Sequence, residues 1–169
     1  LKALLMRVIK IPLLKKSVLN LLSMMREEDE ISIVVFSGKP NILLKPSSFK
    51  QEEKIRKAIA SLKPSGKTYA NAGLKLAYKV ANDNYKRGGN NRIILATDGQ
   101  FNLGDDSRKL IADFSREDIY LSVFNFGKAA SAAESLRQLA GTGHGTYQYI
   151  SSDNVELQLI REVKAKRKN

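Results

Sequence analysis

The segment Ile93-Ile94-Leu95-Ala96-Thr97-Asp98-Gly99 decides the fold of this chain, because an unbroken apolar run ends there in an acid and a glycine. A short apolar run bounded by turn residues is typical of a buried strand in a parallel sheet. Parallel sheets flanked by helices bind ligands beyond the carboxyl ends of their strands, which is where Asp98 would lie. The segment therefore predicts a carboxylate that either holds a cation or acts as an acid or base.

Helices and strands alternate along the rest of the chain. The patterns predict helices over 12–25, 48–62, 70–84, from Asp105 or Asp106 to 114, 130–139 and 154–163, and strands over 31–36, 42–44, 93–97, 119–124 and 146–150. Ser48 with Gln51 predicts a capping box, and Asp105 or Asp106 a helix cap. The connection between strands 31–36 and 42–44 is so short that they must pair antiparallel. The order predicts a Rossmann-like, doubly wound α/β fold: a mainly parallel sheet with one antiparallel edge strand and helices on both faces, in a single domain over 1–169.

The amino-terminal segment, residues 1–10, has no clear assignment. Leu1–Ile9 is either an improvised strand or an extra helical turn, or the true first strand lies upstream, as the first residue (Leu rather than Met) suggests. The segment is shorter than the roughly 20 residues that span a bilayer and has no small-residue cleavage site, so we predict no membrane span or signal peptide there. Residues 164–169 are a basic tail.

The composition is that of a basic globular protein without thiols. The 169 residues include 29 Lys and Arg against 17 Asp and Glu, which gives a formal net charge of +12. Such an excess favours acidic partners, although a solvated surface with its charges dispersed along the helix faces also accounts for it. The absence of cysteine excludes disulfides, thiolate metal sites and a cysteine nucleophile.

Several patterns that suggest catalysis or phosphate binding have the wrong context. Gly66-Lys67-Thr68 looks like the end of a phosphate-binding loop, but Ser61 occupies the position that requires glycine. Gly141–Gly145 precedes a strand, which predicts a plain turn. His144 is the only histidine, and no Gly-x-Ser-x-Gly elbow is present, so we interpret it as a surface residue. Asp98 has no second carboxylate or histidine at matching spacing, so we predict no enzymatic activity.

Two oxygen-bearing side chains, Thr68 and Asp98, are predicted at the same end of the sheet. A hydroxyl and a carboxylate that converge there are hard ligands of the kind that Mg²⁺ accepts. Alternatively, Asp98 caps a turn with Gly99 and Asn102, and Thr68 caps the helix at Ala70. From the residues alone both interpretations stay open.

Three segments resemble von Willebrand factor type A (VWA) domains, among them the bacterial YfbK-like group. They are Leu13–Ser17 leading to Arg26–Val34, Ser65–Leu74, and Leu95–Gly104 with its Thr-Asp-Gly-x-Phe-Asn-x-Gly pattern. The similarity runs from about Ile11 to Val163, with the elements in the same order and at the same spacing.

The resemblance implies a metal-ion-dependent adhesion site, in which three loops bind one divalent cation, Mg²⁺ or else Ca²⁺ or Mn²⁺. Thr68 matches the threonine of the second loop and Asp98 the aspartate of the third. An acidic side chain of a partner protein commonly completes the coordination shell. The ligand-binding rim that the resemblance implies consists of Ser37, Gly66, Lys67, Tyr69, Gly99 and Asn102.

The chain departs from the family in the first metal loop, because no Asp-x-Ser-x-Ser follows a strand. Its nearest imitation, Asp113–Glu117, ends a helix and has glutamate in the last position. We therefore expect the first strand and its metal loop to be missing. One carboxylate and one hydroxyl would hold Mg²⁺ weakly, because this ion prefers about six oxygens.

The functional prediction is a non-catalytic, adhesion-type module that binds an acidic group of another protein through a divalent cation. The alternative is a basic surface module that binds nucleic acid or an anionic membrane without metal, which only the net charge of +12 supports. Nucleic acid ranks low because no aromatic-rich basic motif is present, and no small-molecule substrate is expected. The resemblance favours the cell envelope as location, whereas the sequence leaves the partner's identity and the oligomeric state open.

Overall fold

The computed structural model describes residues 3–6, 11–23, 26–36, 39–62, 69–97, 103–126 and 130–150. The strands are β1 (Ala3–Met6), β2 (Glu30–Val35), β3 (Asn41–Ser48), β4 (Asn91–Thr97), β5 (Ile119–Asn125) and β6 (His144–Tyr149). The helices are α1 (Ile11–Ser23), α2 (Glu52–Ala60) after a 3₁₀ turn over Phe49–Gln51, α3 (Ala70–Asp83), α4 (Asp105–Ser115) and α5 (Ala130–Thr142). The predicted closing helix over 154–163 lies outside the described residues.

The six strands form one sheet in the order β3-β2-β1-β4-β5-β6. All neighbours are parallel except β2 and β3, which pair antiparallel at the edge. The doubly wound, mainly parallel α/β fold is therefore confirmed.

The centre of the sheet is the strand that the sequence left unassigned. Leu4 of β1 pairs with Ile33 on one side and with Ile94 on the other. Of the alternatives for Leu1–Ile9, the structure shows a strand, over Ala3–Met6. The expectation that the chain lacks its first strand is therefore wrong. A short apolar segment suffices there, because parallel neighbours on both sides satisfy its backbone groups.

Helices cover both faces of the sheet and form two cores. Buried side chains of α1 and α2 pack with Ile94 and Ala96 of β4 on one face. Buried side chains of α3, α4 and α5 pack with Ile93 and Leu95 on the other. All seven residues of β4 are buried. The apolar run is therefore unbroken because alternate residues enter opposite cores.

Two predicted helix caps are wrong. Ser48 makes no capping hydrogen bond, because the 3₁₀ turn intervenes before α2. The cap of α4 is Gly104, while Asp105 and Asp106 lie in the first turn, where carboxylates interact favourably with the helix dipole. No described helix is long and apolar enough to cross a membrane.

The glycine-rich segment 141–145 does more than turn the chain. It ends α5 and begins β6, and a Cβ on Gly145 would overlap the carbonyl group of Leu121 in β5. A Cβ on Gly143 would lie 2.5 Å from the Leu121 Cβ. His144, between them, is exposed and has a φ of 54°. The glycines therefore allow β6 to approach β5 closely.

Candidate functional site

The carboxyl edge of the sheet is where the predicted ligand Asp98 would follow β4. Thr97, the last residue of β4, is buried, and its carbonyl oxygen accepts a hydrogen bond from the Phe126 N–H at 2.8 Å. This bond fixes the end of β4 against the end of β5. Asp98 itself lies outside the described residues.

The segment that precedes α3 reaches the same edge. The Tyr69 N–H donates a hydrogen bond to the carbonyl oxygen of Phe36 at 3.0 Å, directly after β2. Tyr69 is the first described residue after Thr68, and its side chain is 42% exposed. Tyr69, beside the end of β2, and Thr97, at the end of β4, therefore flank the carboxyl end of β1, which lies between these two strands.

Asn71 joins the starts of α3 and α4. Its Oδ1 accepts hydrogen bonds from the Gly104 N–H at 3.1 Å and from the Ser107 hydroxyl at 2.6 Å. Residues 98–102 lead into Gly104, and Thr68 stands three residues before Asn71. Asn71 was not among the residues predicted to form the site. The sequence feature that could have indicated its role is an amide side chain in the first turn of a predicted helix, where it can reach a neighbouring loop.

A cavity of about 330 Å³ opens beside this link. Its lining is polar and carries both charges: Asn71, Lys75, Gly104, Asp105, Asp106 and Ser107. Such a cleft can accept a polar or charged side chain of a partner.

Of the predicted site residues, only Tyr69 is among those described, and it is exposed. The others lie outside the described residues, so their placement stays a prediction: Ser37, Gly66, Lys67, Thr68, Asp98, Gly99 and Asn102.

The donors for a divalent cation do not fit the complete site that the resemblance implies. β1 ends at Met6 and α1 begins at Ile11, so the sequence between them is Arg7-Val8-Ile9-Lys10, with two cationic side chains and no side-chain oxygen. Across the part of the chain that the structure describes, no three His, Cys, Asp or Glu residues form a group that could hold a metal. Thr68 and Asp98 remain as two donors where Mg²⁺ prefers about six oxygens.

A buried polar cluster lies near the other edge and was also missed. Arg92, at the start of β4, is 2% exposed, and its Nη1 donates to the Ser122 hydroxyl at 2.5 Å. The Thr146 N–H donates to the same oxygen at 3.1 Å, and the guanidinium lies 5.4 Å from the centre of the Tyr120 ring. A cation at the start of an apolar strand was the available signal. The cluster ties β4, β5 and β6 together, away from the carboxyl edge.

The family of the chain follows from a sequence comparison. The family model described as von Willebrand factor type A domain matches residues 6–163. The chain belongs to this family. The VWA match includes both predicted ligand positions and most of the described fold.

A curated protein and a solved structure are similar to most of the chain. The uncharacterized protein YfbK of Escherichia coli (strain K12) is 37% identical over 147 residues, which cover 85% of this chain and 26% of YfbK. The chain thus spans about a quarter of that relative. The crystal structure of the conserved hypothetical protein BatB from Bacteroides thetaiotaomicron has a TM-score of 0.78 at 17% identity and covers 99% of this chain and 98% of BatB.

Metal-bound structures are among the solved structures that are similar to this chain. Proximal thread matrix protein 1 from the mussel byssus, with a zinc-occupied metal-ion-dependent adhesion site, has a TM-score of 0.67 at 18% identity. The likeness covers 96% of this chain and 46% of that one, and at this identity it shows the shared fold.

Proposed function

We propose that this VWA domain is a non-catalytic interaction module that binds another protein at the carboxyl edge of its sheet. The observation that carries the proposal is the link through Asn71. It holds the starts of α3 and α4 together, and the segments that contain Thr68 and Asp98 lead into these two helices. The partner group that we propose is an acidic side chain, in keeping with the family resemblance.

The described surface at this edge supports binding of a protein. Tyr69 is a large, exposed side chain, and tyrosine is a common anchor at the centre of protein interfaces. The polar cavity lined by Asn71 and Lys75 begins two residues further along the chain and adds hydrogen-bonding groups. A polar rim around an aromatic anchor is the usual composition of such an interface.

The role of a divalent cation is a separate part of the proposal. Thr68 and Asp98 are the residues that we assign to Mg²⁺, Ca²⁺ or Mn²⁺, by resemblance. Arg7-Val8-Ile9-Lys10 stands where the family has its first metal loop, so the chain has too few oxygen donors for a complete metal site. We therefore propose docking that does not require the ion. The cell envelope is the location that we propose, also by resemblance.

Site-specific photocrosslinking tests the docking edge. A photoreactive phenylalanine analogue at position 69 is compared with the same analogue at position 85, since Tyr69 and Tyr85 are 42% and 38% exposed. Tyr85 follows α3 and precedes β4, at the opposite edge of the sheet. We expect crosslinking in bacterial cells to join a second protein to position 69 and not to position 85. Equal products at both positions, or products at position 85 alone, contradict the proposed edge.

The cation is tested on the same crosslink and by direct titration. If a metal bridges the partner, chelation and Asp98→Ala each abolish the crosslink. In metal-free docking of an acidic group, chelation has no effect, and Asp98→Ala leaves the crosslink unchanged or strengthens it, since a negative charge is lost. Calorimetric titration of the unmodified chain and of Asp98→Ala with Mn²⁺ shows directly whether Asp98 contributes to a metal site.

A further inference from the structure

In the described helices, positive charge exceeds negative charge on only one face of the sheet. The described elements over one face, α1, the 3₁₀ turn and α2, carry six Lys and Arg and only two acidic residues, Glu52 and Glu53. The helices over the other face, α3, α4 and α5, carry five Lys and Arg and five Asp and Glu. In the described helices the charges are therefore divided unevenly between the two faces of the sheet.

Four exposed lysines form what we call the lysine face: Lys16 of α1, Lys50 of the 3₁₀ turn, and Lys54 and Lys57 of α2. Lys54 and Lys57 are three residues apart and so lie on the same flank of α2. Lys15 of α1 donates from Nζ to the carbonyl oxygen of Ala60, which places α1 beside the end of α2. The two helices therefore lie next to each other on the same face of the sheet.

The charges of the lysine face are available to a partner. Within the described part of the chain, none of its four lysines forms an ion pair. The acidic residue Glu52 is occupied by Arg56, whose Nη2 lies 2.6 Å from its Oε1, on the other flank of α2. The other acidic residue, Glu53, is exposed four residues before Lys57 and so lies beside it. The face therefore carries four lysines against one carboxylate.

The chemistry of the lysine face favours a diffuse anionic surface over a specific macromolecular partner. Its cations are lysines, which are hydrated point charges, whereas arginine is the usual residue for bidentate recognition of nucleic acids. The exposed large hydrophobic residues of the described chain lie elsewhere: Ile42, Tyr69, Tyr85 and Tyr149. The face thus offers no aromatic platform for bases and no apolar anchor for a protein interface.

We propose that the lysine face binds the surface of an anionic lipid bilayer. A plane of anionic headgroups needs only positive charges on a broad face, which two adjacent helices supply. Each lysine near such a surface strengthens binding about fivefold at physiological ionic strength. Loss of three lysines should therefore weaken binding by about a hundredfold. This inference is independent of the docking edge proposed above, because it uses none of its residues.

Vesicle sedimentation tests the proposal with a charge-matched control. The triple variant Lys50→Gln/Lys54→Gln/Lys57→Gln is compared with Lys79→Gln/Arg108→Gln/Lys109→Gln on the opposite face, so that each variant loses three positive charges. The vesicles contain equal parts of phosphatidylcholine and phosphatidylglycerol, in about 0.1 M salt. We expect the first variant to lose about a hundredfold in partitioning and the second less than about threefold. Pure phosphatidylcholine vesicles should bind neither variant nor the unmodified chain.

Three outcomes overturn the proposal. The first is that the unmodified chain binds the anionic vesicles no better than pure phosphatidylcholine. The second is an equal loss for the two triple variants, which would mean that net charge alone decides. The third is that the lysine-face variant loses affinity for duplex DNA but none for vesicles, which would make nucleic acid the ligand. Circular dichroism melting of both variants verifies that the fold is intact.

Discussion

Alanine substitution at two glycines four residues apart should change stability in opposite directions. Gly145, in β6, faces the backbone of β5, and a Cβ there would overlap the carbonyl group of Leu121 and lie 2.8 Å from the Ser122 nitrogen. Gly141, in the last turn of α5, is exposed, and a Cβ there would meet nothing within 4 Å. We therefore expect Gly145→Ala to destabilise the protein and Gly141→Ala to stabilise it.

The sizes of the two free-energy changes follow from which strand must move to make room for the added methyl group. Leu121 belongs to a strand that is paired on both sides, so β5 cannot retreat from an added methyl group. β6 must shift instead, which also strains the hydrogen bond from the Leu121 N–H to the Gly143 carbonyl oxygen at 3.0 Å. Overpacking of this kind costs about 1–3 kcal/mol or somewhat more, so we expect a loss of about 3 kcal/mol for Gly145→Ala. Alanine in place of an exposed helical glycine adds about 0.5–1 kcal/mol at Gly141.

Urea unfolding followed by circular dichroism measures both effects. The free energy of unfolding of the two variants should differ by about 4 kcal/mol, with unchanged dependence on denaturant. The reasoning is refuted if Gly145→Ala stays within about 0.5 kcal/mol of the unmodified chain. It is equally refuted if Gly141→Ala is as destabilising as Gly145→Ala, because the space around the Cβ would then not decide the outcome.

Two further predictions concern polar contacts. Burial of the Asp29 carboxyl opposes its ionisation, but hydrogen bonds from the Arg26 N–H and guanidinium outweigh this and hold its pKa below the ordinary value. Asp29→Asn should therefore lower the free energy of unfolding by about 0.5–1 kcal/mol at neutral pH, whereas the exposed control Glu28→Gln changes it little. In urea titrations across pH the Asp29→Asn difference should be lost as pH falls through the lowered pKa, and a difference that persists in acid contradicts the assignment. Ser122→Ala should lower the free energy of unfolding by about 1–3 kcal/mol, because its buried hydroxyl accepts a hydrogen bond from Arg92. The exposed control Ser61→Ala should lower it by less than about 0.5 kcal/mol. Thermal melting measures both variants, and equal losses would contradict a stabilising role of the buried cluster.

The parts of the fold that the sequence predicts well are those in which one pattern has one physical cause. β4 is an unbroken apolar run because it is buried on both faces, and β2 with its short connection to β3 leaves only antiparallel pairing. The edge at which the site is expected also follows, since Thr97 and Tyr69 both lie at the carboxyl ends of strands. The positions of Thr68 and Asp98 on that edge stay predictions.

The features that the sequence did not predict depend on tertiary contacts. The residues of β1 are an apolar tetrapeptide whose strand conformation is decided by two partners distant in sequence. The cap predicted at Ser48 is wrong because a 3₁₀ turn lies between Ser48 and the first turn of α2. Gly145 is needed because of Leu121, with which it shares no local pattern. The uneven charge becomes visible only once the helices are assigned to faces of the sheet.

The central position of β1 has a consequence for how the chain acquires its structure. Leu4 leaves the ribosome well before one of its partners, Ile94, which follows it by 90 residues in the sequence. The middle of the sheet must therefore wait for β4, with β1 held in the interim by β2 alone. Pairings between such distant segments slow folding and leave strand edges open in the meantime, so nascent chains that stall before β4 should be prone to aggregation.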